Sequence, residues 1–284
     1  MTRLLDVEGL TVEFLTDTGE PVLAVRGVDV TVDAGETVAI LGESGSGKSV
    51  MSRAIMGLVD FPGVVEGSIR FDGQELVGRS EEQLRRVRGS GIGMVFQDSL
   101  DSLNPVYSVG AQLVEALRVR RRMDRGAART RAIELMEQVG IVDAERRFRS
   151  YPHQFSGGMR QRICIALTVA LGSKLLIADE PTTALDVTVQ AGIISLLKDI
   201  QASTHMGMLF VTHDLAVARM IATRVIIMYQ GEIVERGDIG AVFDAPQHAY
   251  TRRLLLSHPG SVKTWRELGG LSDETRSTGV GGTN

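Results

Sequence analysis

A single cysteine, Cys164, occurs in the 284 residues of this chain. One thiol excludes a disulfide framework and a cluster of cysteine ligands, and it agrees with a reducing compartment. Long apolar runs are missing as well: nothing reaches the roughly 18 consecutive apolar residues that a membrane-spanning helix needs. The opening "MTRLLDVEGL" lacks the continuous apolar centre of a secretion signal, so secretion is not expected. There is no excess of positive charge. Lys and Arg number 31 against 35 Asp and Glu, a net −4 that argues against a dedicated nucleic-acid binder. The eleven methionines are scattered and read as core filler. What is present is an ordinary globular balance, 43% hydrophobic and 23% charged, with length for one large or two modest domains.

Along the chain, "LLDVEGLTVEF" and "PVLAVRGVDVTV" alternate apolar and polar residues around the turn-rich "TDTGE", which predicts antiparallel strands. "ETVAILG", "GSIRFDG", "GIGMVFQD", "KLLIADEP", "GMLFVTHD" and the hairpin-like "RVIIMYQGEIVERG" predict further strands. Helical patterns fall between several of them. Strands alternating with helices imply an α/β fold with a mostly parallel sheet. A charged helical block at about 100–170 interrupts that rhythm and reads as an inserted subdomain. The tail from 261 to 284, ending "STGVGGTN", reads as partly disordered.

The sharpest local signal is "GESGSGKS", Gly42 to Ser49, after a predicted strand and before a predicted helix. It fits G-x-x-x-x-G-K-[ST]. Gly42, Gly45 and Gly47 let the backbone curl so that the N–H groups of Glu43, Ser44, Ser46 and their neighbours can face an anion. The helix that follows, through Val50, adds its positive end. Lys48 is expected to reach the β- and γ-phosphates, and the Ser49 hydroxyl to ligate Mg²⁺.

"KLLIADEPTTALD" closes an apolar strand on two carboxylates. Strand C-termini are where an α/β sheet presents ligand groups. Neighbouring strand residues point to opposite faces, so different tasks are expected: Asp179 holding Mg²⁺ through water, Glu180 acting as general base. Gln97, in "MVFQD", and His213, in "FVTHD", end two more strands in the same way. Gln97 can touch Mg²⁺ or the attacking water. A lone histidine is more often structural, but four strand ends each bearing a polar group support one joint site.

Taken together, "GESGSGKS", "MVFQD", "FSGGMRQR", "LLIADEP", "TALD" and "FVTHD" resemble, in order and spacing, the Walker A, Q-loop, signature, Walker B, D-loop and H-loop of ATP-binding-cassette ATPases. The resemblance covers roughly residues 4–256. "FQDSLDSLNPVYSVG", "YPHQFSGGMRQR" and "APQHAYTRRLLLSHP" narrow it to ATPase subunits of bacterial dipeptide, oligopeptide and nickel importers, with the closest likeness to dipeptide-permease subunits.

That resemblance implies a P-loop NTPase fold: a mixed RecA-like core sheet, an antiparallel β subdomain and an inserted helical signature subdomain, all within a nucleotide-binding domain over 1–260. It implies ATP and Mg²⁺, and a head-to-tail pair with a second, related ATPase subunit. In such a pair Ser156, Gly157 and Gly158 meet the partner's γ-phosphate, with Asp186 of the D-loop beside them. Ser156 itself reads as a helix N-cap. Further partners implied are two transmembrane permease subunits and an extracytoplasmic substrate-binding protein. Membrane contact comes only through the permease, at the cytoplasmic face. An aromatic residue near the N-terminus stacks on adenine in this family; Phe14 is the candidate, and it is equally a candidate for strand core. Leu103 and Tyr107 are either contacts for a permease coupling helix or internal packing. The arginine-rich run at 118–131 reads as a solvated helical face rather than a nucleic-acid or lipid site. Some relatives carry a C-terminal cysteine cluster; with Cys164 alone, no iron–sulfur centre is expected here. Cargo remains open between peptides and nickel chelates. Soluble cassette ATPases of DNA repair or translation fit less well, since no long coiled coil separates Lys48 from Ser156 and the chain holds one cassette.

Overall fold

A computed structural model describes residues 3–15, 20–97, 102–183 and 185–257. The tail expected to be disordered, 261–284, lies outside them. The first two alternating segments form β1 (Arg3–Leu15) and β2 (Pro21–Asp33), paired antiparallel as expected. In β1 the fully buried residues are Leu5 and Val7, then Leu10 and Val12. The burial phase slips by one between them. The register of both neighbours shifts there, and Gly9 sits at φ 58°. A bulge inserts one residue and re-aims those beyond it, and glycine adopts its left-handed backbone without a Cβ clash.

After β3 (Thr37–Leu41) comes α1 (Lys48–Ile55). β4 (Gly63–Phe71) and the short β5 (Gln74–Glu75) complete a four-stranded antiparallel sheet in the order β2-β1-β4-β5. α2 (Glu81–Val87) had no counterpart in the sequence reading, although Ser80 and Gln83 form the reciprocal capping box that announces a helix start.

The main sheet is six-stranded, in the order β10-β9-β3-β8-β7-β6. β6 (Ile92–Val95), β7 (Leu175–Asp179), β8 (Gly207–Val211) and β9 (Arg224–Tyr229) run parallel to β3, while β10 (Glu232–Asp238) is an antiparallel edge. Every residue of β3, β7 and β8 is buried. Val38, Ile40, Ile177 and Leu209 enter one core with β1, β2 and α1, whereas Ala39, Leu41, Ala178 and Phe210 enter another with the helical block. The apolar runs therefore reflect a sheet covered on both sides.

Between β6 and β7 the chain builds α3 (Val109–Arg121), α4 (Arg125–Gln138), the short α5 (Ala144–Arg147) and α6 (Gly157–Leu171). Caps set their starts: Ser108 accepts from the Ala111 amide, Asp124 from Gly126 and Ala127, Ser156 from Met159. The expected insertion is present, with its first helix at Val109. Leu103 is 2% exposed and belongs to the core, whereas Tyr107 is 57% exposed. Of these two, only Tyr107 is placed to meet a partner. The remaining helices are α7 (Val187–Thr204), α8 (Leu215–Ile221), α9 (Ile239–Asp244) and α10 (Ala249–Leu256). Among the described residues no helix is long and apolar enough to cross a membrane.

Candidate functional site

Because β3, β6, β7 and β8 are parallel, their C-terminal ends lie on one edge of the sheet. That edge carries the loop from Gly42 to Gly47, then Gln97, the pair Asp179 and Glu180, and His213. Gly42, Glu43, Ser44, Gly45, Gly47, Lys48, Ser49, Val50, Gln97, Glu180 and His213 line one cleft of about 600 Å³. Wider clefts occur between β2 and β10 and against α3 and α4, about 840 and 920 Å³ respectively, but they lie away from these strand ends.

The loop has the backbone its glycines predict. Gly42, Gly45 and Gly47 have φ of 154°, 79° and 99°. A Cβ on Gly42 would come within 2.2 Å of the Met228 carbonyl oxygen, and one on Gly47 within 2.5 Å of that of Ala24. The loop is thus pressed against β9 and β2 as well as wound over α1. Lys48 is 4% exposed and folds back along it, its Nζ donating to the carbonyls of Gly42 and Glu43, each at 2.7 Å, and to Ser46 Oγ at 3.4 Å. Burial holds the Lys48 ammonium below the usual lysine pKa, against the opposing pull of Glu180, Asp179 and Glu43.

Ser49 Oγ donates to Asp179 Oδ1 at 2.9 Å, joining the helix start to the end of β7. Asp179 is 5% exposed. Its carboxyl is raised above the usual range by burial, an effect the Ser49 hydrogen bond partly opposes and the Glu180 charge reinforces. A buried carboxylate of this kind costs the fold stability once pH rises through its raised native pKa, and costs nothing below the unfolded value. Asp179→Asn removes that charge while keeping an oxygen for Ser49. The expected result near pH 7 is a nucleotide-free melting temperature equal to or above that of the parent; a lower one would show that the charge stabilises the fold.

Glu180 departs from simple strand alternation. It stands just beyond β7 with φ 47°, and its amide donates to the Val211 carbonyl at 2.9 Å. A non-glycine residue held there costs about 1–2 kcal/mol. The turn aims its carboxylate into the cleft, where Oε2 accepts from Thr183 Oγ1 at 2.9 Å and lies 3.3 Å from His213 Nδ1. The two adjacent carboxylates therefore serve one edge through a twist in the backbone. Thr183 was missed by the sequence reading, as were Ala24 and Leu254, which also line the cleft.

Other expected site residues lie elsewhere. Phe14 is on β1 opposite Gly63, its ring close over that glycine, and it does not line the cleft. Ser156 and Asp186 are both exposed and cap α6 and α7. Their two caps are neighbours: a Cβ on Gly158 would come within 2.4 Å of Val189 Cγ1, and one on Gly157 within 3.6 Å of Leu185. Val187, beside them, is 82% exposed. The "SGG" helix start and the Asp186 cap thus lie side by side, and neither is among the residues lining the phosphate-loop cleft. Cys164 is buried, and burial pushes its thiol up to about 12. Among the described residues no three His, Cys, Asp or Glu are grouped to hold a metal ion.

The family model described as ABC transporter matches residues 25–183, from β2 through the strand-end carboxylates. The chain belongs to the ABC transporter family. It is an ATPase of that family, binding ATP and hydrolysing it. The cassette is 51% identical over 261 residues to the oligopeptide transport ATP-binding protein OppD of Bacillus subtilis (strain 168), covering 91% of this chain and 73% of that protein. It is 48% identical over 269 residues to the dipeptide transport ATP-binding protein DppD of Escherichia coli (strain K12), covering 94% and 82%. Among solved structures, the ATP-binding cassette MJ0796, a dimer in a post-hydrolysis state with ADP and Pi, matches with TM-score 0.74 and 29% identity over 83% of this chain and 99% of that one. The cassette cbiO1 of Clostridium perfringens, part of the transporter complex cbiONQ, matches with TM-score 0.73 and 27% identity over 92% and 97%.

Proposed function

We propose that this cassette, as a nucleotide-binding domain over 1–260, powers uptake of di- or oligopeptides across the cytoplasmic membrane. It would sit peripherally on the cytoplasmic face, against two permease subunits fed by an extracytoplasmic binding protein. The named cargo of OppD and DppD supports the peptide assignment. One observation carries the mechanism: the phosphate loop, Gln97, Glu180 and His213 converge on one cleft, while Ser156, Gly157, Gly158 and Asp186 lie side by side outside it. A site split in this way closes only when a second ATPase subunit brings its own "SGG" helix start to this cleft.

Within the cleft each residue has a task that its position supports. The Glu43 and Ser46 amides, expected to face an anion, instead donate to the Tyr250 hydroxyl and the Glu43 carbonyl; the remaining loop amides and the first turn of α1 face the phosphates, and Lys48 turns from the loop carbonyls to a phosphate oxygen. Glu180 accepts a proton from the attacking water, and His213, beside it, orients that water or contacts the transferred phosphoryl group. Hard oxygen donors fit Mg²⁺: Ser49 and Gln97 would hold it directly and Asp179 through water. When bound, the ion neutralises charge on the β- and γ-phosphates. Gly157 and Gly158 supply first-turn amides of α6 to the partner's γ-phosphate, an interaction that distinguishes ATP from ADP and so couples hydrolysis to separation of the pair.

Ser156→Ala tests the split. ATP binding by the isolated chain should stay within about twofold, and loss of the cap should cost roughly 1 kcal/mol of stability. Turnover by the assembled transporter should fall about 10²–10³-fold, as for loss of a donor that meets developing charge. Weakened ATP binding in the isolated chain would place Ser156 in its own site and overturn the reading. Uptake of labelled peptide against nickel chelate, by vesicles reconstituted with both permease subunits, decides the cargo.

A further inference from the structure

The hydroxyl of Tyr250 touches the phosphate loop from 207 positions away in sequence: the Glu43 amide donates to it at 3.1 Å. The carbonyl of that same peptide group belongs to Gly42, and it accepts from Lys48 Nζ at 2.7 Å. A peptide group is planar, so a restraint on its N–H and another on its C=O together fix its rotation about the chain. Gly42, with no Cβ and φ 154°, sets little steric barrier of its own to such a rotation. The plane between Gly42 and Glu43 is therefore held by Lys48 on one side and by Tyr250 on the other.

The hydroxyl is itself firmly placed. Tyr250 is 3% exposed, and its ring lies against Tyr229 at the end of β9, with centroids 4.2 Å apart. The Arg253 guanidinium stands 5.4 Å from the Tyr250 ring. The start of α10 is tied down as well. The amides of Gln247 and His248 donate to the Glu235 carboxylate at 2.7 and 3.0 Å, and His248 Nδ1 accepts from the Tyr250 amide. Those carboxylate hydrogen bonds lower the Glu235 pKa against the opposing effect of burial. Leu254, one turn further along α10, lines the nucleotide cleft.

We infer that Tyr250 is a positioning residue for ATP: its hydroxyl holds the Gly42–Glu43 peptide in the orientation that receives phosphate. The demand on it is greatest when nucleotide binds. Lys48 then exchanges the Gly42 carbonyl for a phosphate oxygen, and Tyr250 is the restraint that remains on that peptide. An α10 displaced by whatever it contacts would carry this restraint away with it, so the C-terminal helix can set nucleotide affinity.

Tyr250→Phe keeps the ring, its stacking and its burial, and removes only the hydroxyl. In the full chain, ATP affinity by calorimetry is expected to weaken about 3- to 10-fold and the KM for ATP to rise in step. The kcat at saturating ATP should stay within twofold, because Glu180 and His213 are untouched. A double-mutant cycle with Glu43→Pro, which lacks the amide hydrogen, should show no further effect of Tyr250→Phe. Unchanged affinity overturns the proposal, whether or not the melting temperature falls. So does a Tyr250→Phe effect that is as large in the proline background as in the parent.

Discussion

Glu180→Gln is expected to lower ATP turnover by about 10²–10⁴-fold, the range for removing a positioned general base. ATP binding should persist, because the loop amides, Lys48 and Ser49 are untouched. The amide can still accept from Thr183, which preserves the local hydrogen bond now at 2.9 Å, but it cannot take a proton from water. With its partner ATPase subunit present, a head-to-tail pair held by unhydrolysed ATP should accumulate, visible as a nucleotide-dependent shift to the combined mass of the two subunits on a sizing column. The comparison with His213→Ala is informative. That variant leaves the carboxylate in place but removes the ring 3.3 Å from it, so it should lose less than the glutamine variant. Near-normal hydrolysis by Glu180→Gln would move the base to another residue.

Lys48→Ala should strike binding itself. A charge-assisted hydrogen bond contributes roughly 1.5–3 kcal/mol, so losing the ammonium from the phosphates should weaken ATP about 10- to 100-fold. Stability should respond differently. The ammonium is buried and its pKa is lowered, so its charge carries a desolvation cost in the nucleotide-free fold. Alanine removes that cost along with the bonds to Gly42, Glu43 and Ser46, and the nucleotide-free melting temperature should change by only a few degrees. Equilibrium titration with ATP separates these outcomes from unfolding. Unaltered affinity would remove Lys48 from the phosphate site.

The legible parts of this molecule are those in which a short stretch dictates its own backbone. "GESGSGKS" needs three glycines to wind over a helix start, and the structure places them at φ values that favour glycine. The strand ends of β3, β6, β7 and β8 converge because parallel strands share an edge, so Gln97, Asp179, Glu180 and His213 could be gathered from pattern alone. The obscure parts depend on which side a residue faces once tertiary packing is complete. Leu103 and Tyr107 read alike in sequence, yet one is core and the other surface. The left-handed turn at Glu180 overrides alternation and follows from no single residue type. Phe14 reads as an aromatic near a nucleotide; its position over Gly63 depends on β4, some fifty residues later. Tyr250 lies in a stretch that helped mark the family, but nothing local tied it to the phosphate loop, since its partner is an amide 207 positions away.

The strand that leads into the phosphate loop sends Val38 and Ile40 to one core and Ala39 and Leu41 to the other. Neither core can loosen without disturbing β3, so the layers on both sides of the sheet are joined into a single cooperative folding unit. Ligand bound at the loop then protects both at once. At a concentration one hundred times its dissociation constant, ATP would add about 2.7 kcal/mol to the unfolding of that whole unit. Amides in α3, remote from the cleft, should therefore exchange with solvent more slowly when nucleotide is present, reporting occupancy of a site they never touch.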